Sequence, residues 1–415
     1  MTHRKSSKAI ALVPAFAVAL VSAMAACAPP PSPKPPKGTT TTTTPHRSTV
    51  PTTAATTTTT TTVPIFTGPA KLYSTKPLDG WGQDNIAYVV RIVGNTVYVG
   101  GDFSHAVRHA QSVPKANMMA VDINTGDLET GFVADTDGTV FGLASDGTSL
   151  YVGGEFSHIN GVARSGLAKV NLTTGAVDPT FNASTPGTVN DLLVVGSKLY
   201  VVGIFGSVDG VSRKYGAAVN ATTGAIDPNF NPQTDGEVAT VAINRAHTSL
   251  YLGGNFLTVH GTSRPYLAEV NPTTGVPQGP TFSSISAKVR DVTVKDDDTA
   301  VYAGVGGHYN SAVQLDPKTG KQLWRVHVDG DTQAVVSSNG FVYMGFHDGY
   351  QGINTLRILA IDPSNGQVDP SFMPQSGSYP GVLSLDADGK HLVAGGLFPD
   401  MGGVAVKGLS IQPTA

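Results

Sequence analysis

The chain has 415 residues, a net charge of −3 and only 14% charged residues, which excludes an extended nucleic-acid surface, since that needs a clustered basic excess. Its one cysteine, Cys27, excludes an internal disulfide and any zinc site built on several thiolates. The 48 glycines follow no collagen-like period, so they predict many tight turns and many short strands.

In chain order, the first predicted element is an export signal over residues 1–27. Arg4, Lys5 and Lys8 precede an apolar run from Ala9 to Ala26 that closes on small residues. A charged start, an apolar middle and a small-residue end make a signal peptide. The sole cysteine follows directly, in Met24-Ala25-Ala26-Cys27. This resembles the lipobox of bacterial lipoproteins, with Met24 where Leu or Val is usual. The resemblance implies lipidation of Cys27 and membrane attachment through that lipid only. The other reading is an ordinary secretory signal cut near Ala23-Met24-Ala25. No later run is long and apolar enough for a spanning helix.

Residues 28–62 are rich in proline and threonine, with Pro29 to Pro36 followed by threonine runs from Thr39 and Thr56. So little apolar surface cannot offset the entropy of ordering, and proline keeps such a chain extended. The segment is expected to be a disordered tether. Its composition also fits an O-glycosylated stalk.

Residues 63–415 are expected to form the folded domain, and from Asn85 to the end self-similarity dominates. The clearest copy runs LYVGGEFSHINGVARSGLAKVNLTTGAVDPTF from Leu150, and others start at Leu199 and Leu250. One position recurs as Tyr98, Tyr151, Tyr200, Tyr251, Tyr302, Tyr343 and Val393. Each unit reads as strands A to D. The A–B connection is a tight turn, the B–C loop takes about ten residues, and the C–D turn is of the Asn171–Gly175 type. The last copy ends after its third strand, so residues 63–73 are expected to supply the fourth. The expected fold is all-β: a seven-bladed β-propeller of four-stranded antiparallel blades, closed by an N-terminal strand.

The order Gly-Gly-(Asp/Glu/Asn)-Phe, Gly and Arg in the loop, Leu-Ala-x-Val-Asn, a Thr-Gly turn and Asp-Pro-x-Phe resembles the delta-60 repeat propeller family, a domain of unknown function. The resemblance covers nearly all of residues 85–411 and implies a fold, not an activity. The Gly-Gly doublets are similar to kelch repeats. LDPKTGKQLWRV from Leu315 is similar to the repeats of quinone-dependent dehydrogenases and of their outer-membrane assembly relatives.

Phe103, Phe156, Phe205 and Phe256 share one repeat position and read as blade packing. Arg164, Arg213 and Arg264 share another and read as clamps on loop carbonyls. Asp296, Asp297 and Asp298 read as a solvated turn. His105, His109, His158, His260, His308 and His347 fall just after strand B and, with Tyr350, mark a candidate binding face. They are read as face markers, since equivalent loops of neighbouring blades stand too far apart for one metal. No catalytic residue, metal or cofactor is expected.

An exported, lipid-anchored envelope propeller that binds an envelope protein or a glycan, as a monomer, fits this pattern best. An assembly scaffold and a secreted propeller enzyme, an oxidoreductase or a carbohydrate-active one, are the alternatives.

Overall fold

The computed structural model describes residues 70–415 except Ser378. The signal, Cys27, the tether and the start of the expected closing strand lie outside the described residues. By its contacts the chain divides into Met1–Thr62 and Val63–Ala415, and only the second unit is described.

Strand alternates with turn throughout, and the helical structure among the described residues is one 3-10 turn, Gly307–Tyr309. Seven antiparallel sheets follow one another, each starting with an inner strand. The inner strands are Ile86–Val93, Thr139–Ser145, Gly187–Val195, Glu237–Ile243, Val289–Val294, Thr332–Ser338 and Gly381–Ala387. Each middle strand, such as Ser149–Glu155, lies between its inner strand and a third strand such as Leu167–Asn171. Every inner strand adjoins the inner strands before and after it, and Ile86–Val93 adjoins Gly381–Ala387.

The fourth strand departs from expectation. Among the described residues only the fifth unit has one, Gln322–His327. Elsewhere it shrinks to a single bridge, such as Val170↔Val177 or Val219↔Ile226. In units two, three and six the Asp-Pro element follows at once, and proline cannot donate to the ladder, while units one and four keep a single bridge without that element. In the last unit the neighbour of Leu409–Pro413 comes from the other end of the described chain. Tyr73 bridges Thr414, Ser74 N–H donates to Pro413 O at 2.7 Å and Leu78 N–H to Ile411 O at 2.8 Å.

Two repeat positions explain the packing between units. The first glycine of each doublet is a slot for the next unit: a Cβ on Gly153 would stand 2.5 Å from Val189 Cγ1, and one on Gly100 equally close to Val140 Cγ1. The repeated tyrosine is a latch. Tyr98, Tyr151 and Tyr200 donate to the carbonyls of Leu172, Ala221 and Pro272, each in the C–D turn of the next unit, at 2.7–2.8 Å. Within its own unit each ring meets the phenylalanine of the Asp-Pro-x-Phe element, as in Tyr151–Phe181 at 5.7 Å. The core is thus seven apolar clusters between neighbouring sheets.

Candidate functional site

The B–C connections are more ordered than loops. Five fold into small hairpins, such as His158–Ile159 with Val162–Ala163. His105 and His158 occupy equivalent places there. Each ring Nδ1 meets an aspartate from the connection ahead of its inner strand, His105 to Asp84 at 3.2 Å and His158 to Asp137 at 2.9 Å. The Ser157 hydroxyl, with His158, holds the Asp137 carboxyl well below the usual range. His109 meets Asp79 at 3.0 Å, and His260 meets the Asn231 carbonyl at 2.7 Å. His308 is exposed on the 3-10 turn. His347 is half-buried, burial holds its pKa down, and its Nε2 has no hydrogen-bond partner. Each of these rings thus has its own local surroundings, and among the described residues no group of three His, Cys, Asp or Glu side chains could hold a metal ion. Tyr350 lies at a tight bridge with Ile353, its hydroxyl accepting from Gln351 at 2.9 Å.

The recurring arginines fork onto carbonyls. Arg164 donates to Ala163 and Asp178, Arg213 to Ser212 and Pro228, and Arg264 to Ser263 and Gly279. Phe103, Phe156, Phe205 and Phe256 are buried. Asp298 accepts backbone N–H groups from Arg245 and Ala246 of the preceding unit, which makes that turn a contact between units.

The site with the most individual character lies on the axis. Every inner strand carries a β-bulge at the same place, and its extra residue is Tyr88, Phe141, Asn190, Ala239, Arg290, Gln333 or Leu383. A bulge re-aims a side chain out of the ladder. Here all seven line one axial cavity of about 350 Å³. The residue just before each bulge packs between units and hardly varies: Ala87, Val140, Val189, Val238, Val289, Thr332 and Val382.

Ion pairs stand toward the starts of the inner strands. Lys288 meets Glu237 at 2.9 Å, and Arg290 meets Asp331 at 2.6 Å. Tyr88 and Phe141 pair with ring centres 4.9 Å apart. Deeper in the channel, the Thr240 hydroxyl lies 3.2 Å from both Asp191 and Asp291. These carboxylates also accept edge amides of the next unit, Val241 N–H at 2.9 Å and Val335 N–H at 2.8 Å. Burial pushes both pKa values up, Asp291 to about 7, and the charge of Asp191 adds to the effect on Asp291. Toward the strand ends Arg91 faces Asp386 at 3.6 Å.

Comparison with known proteins places this geometry. Residues 145–181 match the model of a β-propeller domain of unknown function, DUF5122. The WD40 β-propeller domain of Doa1 superposes with a TM-score of 0.54 at 14% identity, over 83% of this chain and 97% of that one. The chain is a β-propeller. A computationally designed protein, Ika8, also matches, with a TM-score of 0.49 at 14% identity over 82% of this chain and 99% of that one. No curated protein matches the sequence.

In the propeller each sheet is a blade, and the channel mouth at the strand starts shares a face with the B–C hairpins, because middle strands run antiparallel to inner ones. Sequence reasoning missed the bulge ring. A signal was present, since the residue after the Val-rich packing position differs in every repeat while that position is valine in five of seven.

Proposed function

We propose that the chain is an exported, lipid-anchored envelope protein whose propeller is a non-catalytic binding module, engaging its partner at the axial mouth on the B–C face. The observation that carries the binding reading is the bulge ring. Seven side chains of seven kinds point into one cavity from a scaffold that otherwise repeats itself. A partner on the axis meets every blade, so variation there is what recognition needs. The histidine-bearing hairpins form the outer part of the same face. Export and anchoring are supported by Cys27 behind its signal-like segment.

Capture from intact cells tests the binding reading. Wild-type protein should retain a partner that Tyr88→Ala/Gln333→Ala protein loses while melting alike. Equal capture by both would refute a working mouth. Cys27→Ser protein should leave the membrane fraction, and unchanged partition would refute the anchor.

A further inference from the structure

The mouth has a chemical character of its own, and the inference drawn from it rests on the binding-module reading. Around the ring, Leu383, Tyr88 and Phe141 come from blades seven, one and two and form an apolar arc. Gln333, Arg290 and Asn190 come from blades six, five and three and form a polar one, broken by Ala239 of blade four. Among the described residues the Tyr88 hydroxyl and the Gln333 amide have no hydrogen-bond partner, while Arg290 is held by Asp331. Two polar groups therefore stand unused around one cavity.

Charge narrows the ligand. The cations of the mouth are already paired, Lys288 with Glu237 and Arg290 with Asp331, so an anion finds no uncompensated charge there, and the carboxylates deeper in the channel, Asp191 and Asp291, are held by Val241 N–H, Val335 N–H and the Thr240 hydroxyl. Backbone chemistry narrows it further. An extended peptide binds by adding to a strand edge. Edge amides of the inner strands are already capped by side chains, Val241 by Asp191, Val335 by Asp291, Val90 by Ser384 and Ile92 by Asp386. What remains suits a neutral molecule with one apolar face and a rim of hydroxyls. At about 350 Å³ the cavity sits at the small end of ligand sites, so it takes the end of a chain and not its length.

We propose that the mouth seats the neutral terminal residue of a saccharide chain. One face of the sugar ring lies on Tyr88 and Phe141, and its hydroxyls turn to the Gln333 amide, the Tyr88 hydroxyl and the Asn190 amide oxygen, the Asn190 Nδ2 being taken by Glu237 and Val238 O. Isothermal titration of the full chain with maltotriose, cellotriose, mannotriose and triacetylchitotriose tests this. At least one should bind with a dissociation constant of about 1 mM or tighter. Tyr88→Ala/Phe141→Ala should weaken it by about tenfold or more. Gln333→Ala should weaken it less, and Lys318→Ala, an exposed change on a C–D turn of the opposite face, should leave it unchanged. Where the double aromatic variant melts low, Tyr88→Leu replaces it. No binding across the panel, or equal binding by the ring variants, overturns the proposal. Ring-dependent capture of a protein from intact cells, with no sugar bound, would sink this inference and leave the binding-module reading standing. Failure of both measurements removes both.

Discussion

Tyr73, near the start of the described chain, is bridged antiparallel to Thr414, the penultimate residue. Its ring is buried beside Tyr343, with centres 5.2 Å apart, and its hydroxyl meets Ser338 at 2.7 Å. Burial pushes that phenol up to about 12. One residue therefore joins blade six to the last strand of blade seven.

The first prediction concerns this junction. Tyr73→Ala should cost about 3–5 kcal/mol, the range for emptying a buried aromatic site. Deleting residues 63–75 should lower the melting temperature further, because it also strips the backbone partners of Pro413 and Thr414. Deleting residues 28–60 should change it little. Thermal melting of the three proteins decides, and equal shifts for both deletions would rule out a closing role.

The tyrosine latch supplies its own control. The Tyr200 hydroxyl donates to Pro272 O at 2.8 Å, so Tyr200→Phe should cost about 1 kcal/mol. The buried Tyr302 hydroxyl has no partner, because Trp324 Nε1 donates to the Pro363 carbonyl of the next blade at 3.0 Å. Tyr302→Phe should be neutral or slightly stabilising. Urea midpoints of the two variants should therefore move differently, and equal losses would contradict the latch.

Gly153 and Val189 should be coupled. Gly153→Ala places a Cβ 2.5 Å from Val189 Cγ1 and should cost about 1–3 kcal/mol by overpacking. In Val189→Ala protein the same change should cost less, since the colliding methyl is gone. A double-mutant cycle measures the difference, and an additive result would show that the slot does not set the spacing of the blades.

The parts of the fold that were legible in sequence are those repeated in every blade. Tyr98, Tyr151 and Tyr200, the glycine doublets and the Asx turns recur because each solves one packing problem many times over. Asn171 shows the mechanism: its side chain accepts from Thr173 and Thr174 N–H, and Gly175 follows at φ +74°. The fourth strand was overestimated in three blades because Asp178-Pro179, Asp227-Pro228 and Asp369-Pro370 end pairing that an apolar pattern alone would continue. The histidines attracted notice as a rare residue type on equivalent loops, yet local partners such as Asp84 and Asp137 account for two of them. Tyr88, Arg290 and Gln333 escaped because a bulge is a property of register between strands. In one sequence its occupants look like noise in the repeat.

The last prediction turns on Asp291. Its folded pKa of about 7 lies above the ordinary value of 3.8, chiefly because it is buried, with the Asp191 charge adding to the rise. The hydrogen bonds from Val335 N–H, Val292 N–H and the Thr240 hydroxyl work against that rise without cancelling it. Between pH 4 and 7 the folded chain therefore holds a proton that the unfolded chain has released. Stability from this group is greatest below pH 4 and falls as pH rises toward 7, by at most about 1.4 kcal/mol per pH unit. Aspartates with depressed values, such as Asp137, act oppositely and lose their contribution as pH falls below about 4. They are common to wild type and variant, so they cancel in a comparison. Asp291→Asn removes the titration while keeping one acceptor for the edge amides. Its urea midpoint should start below that of the wild type at pH 4 and close the gap by pH 7. Parallel profiles for the two proteins would mean that Asp291 is already ionised in the channel at pH 4.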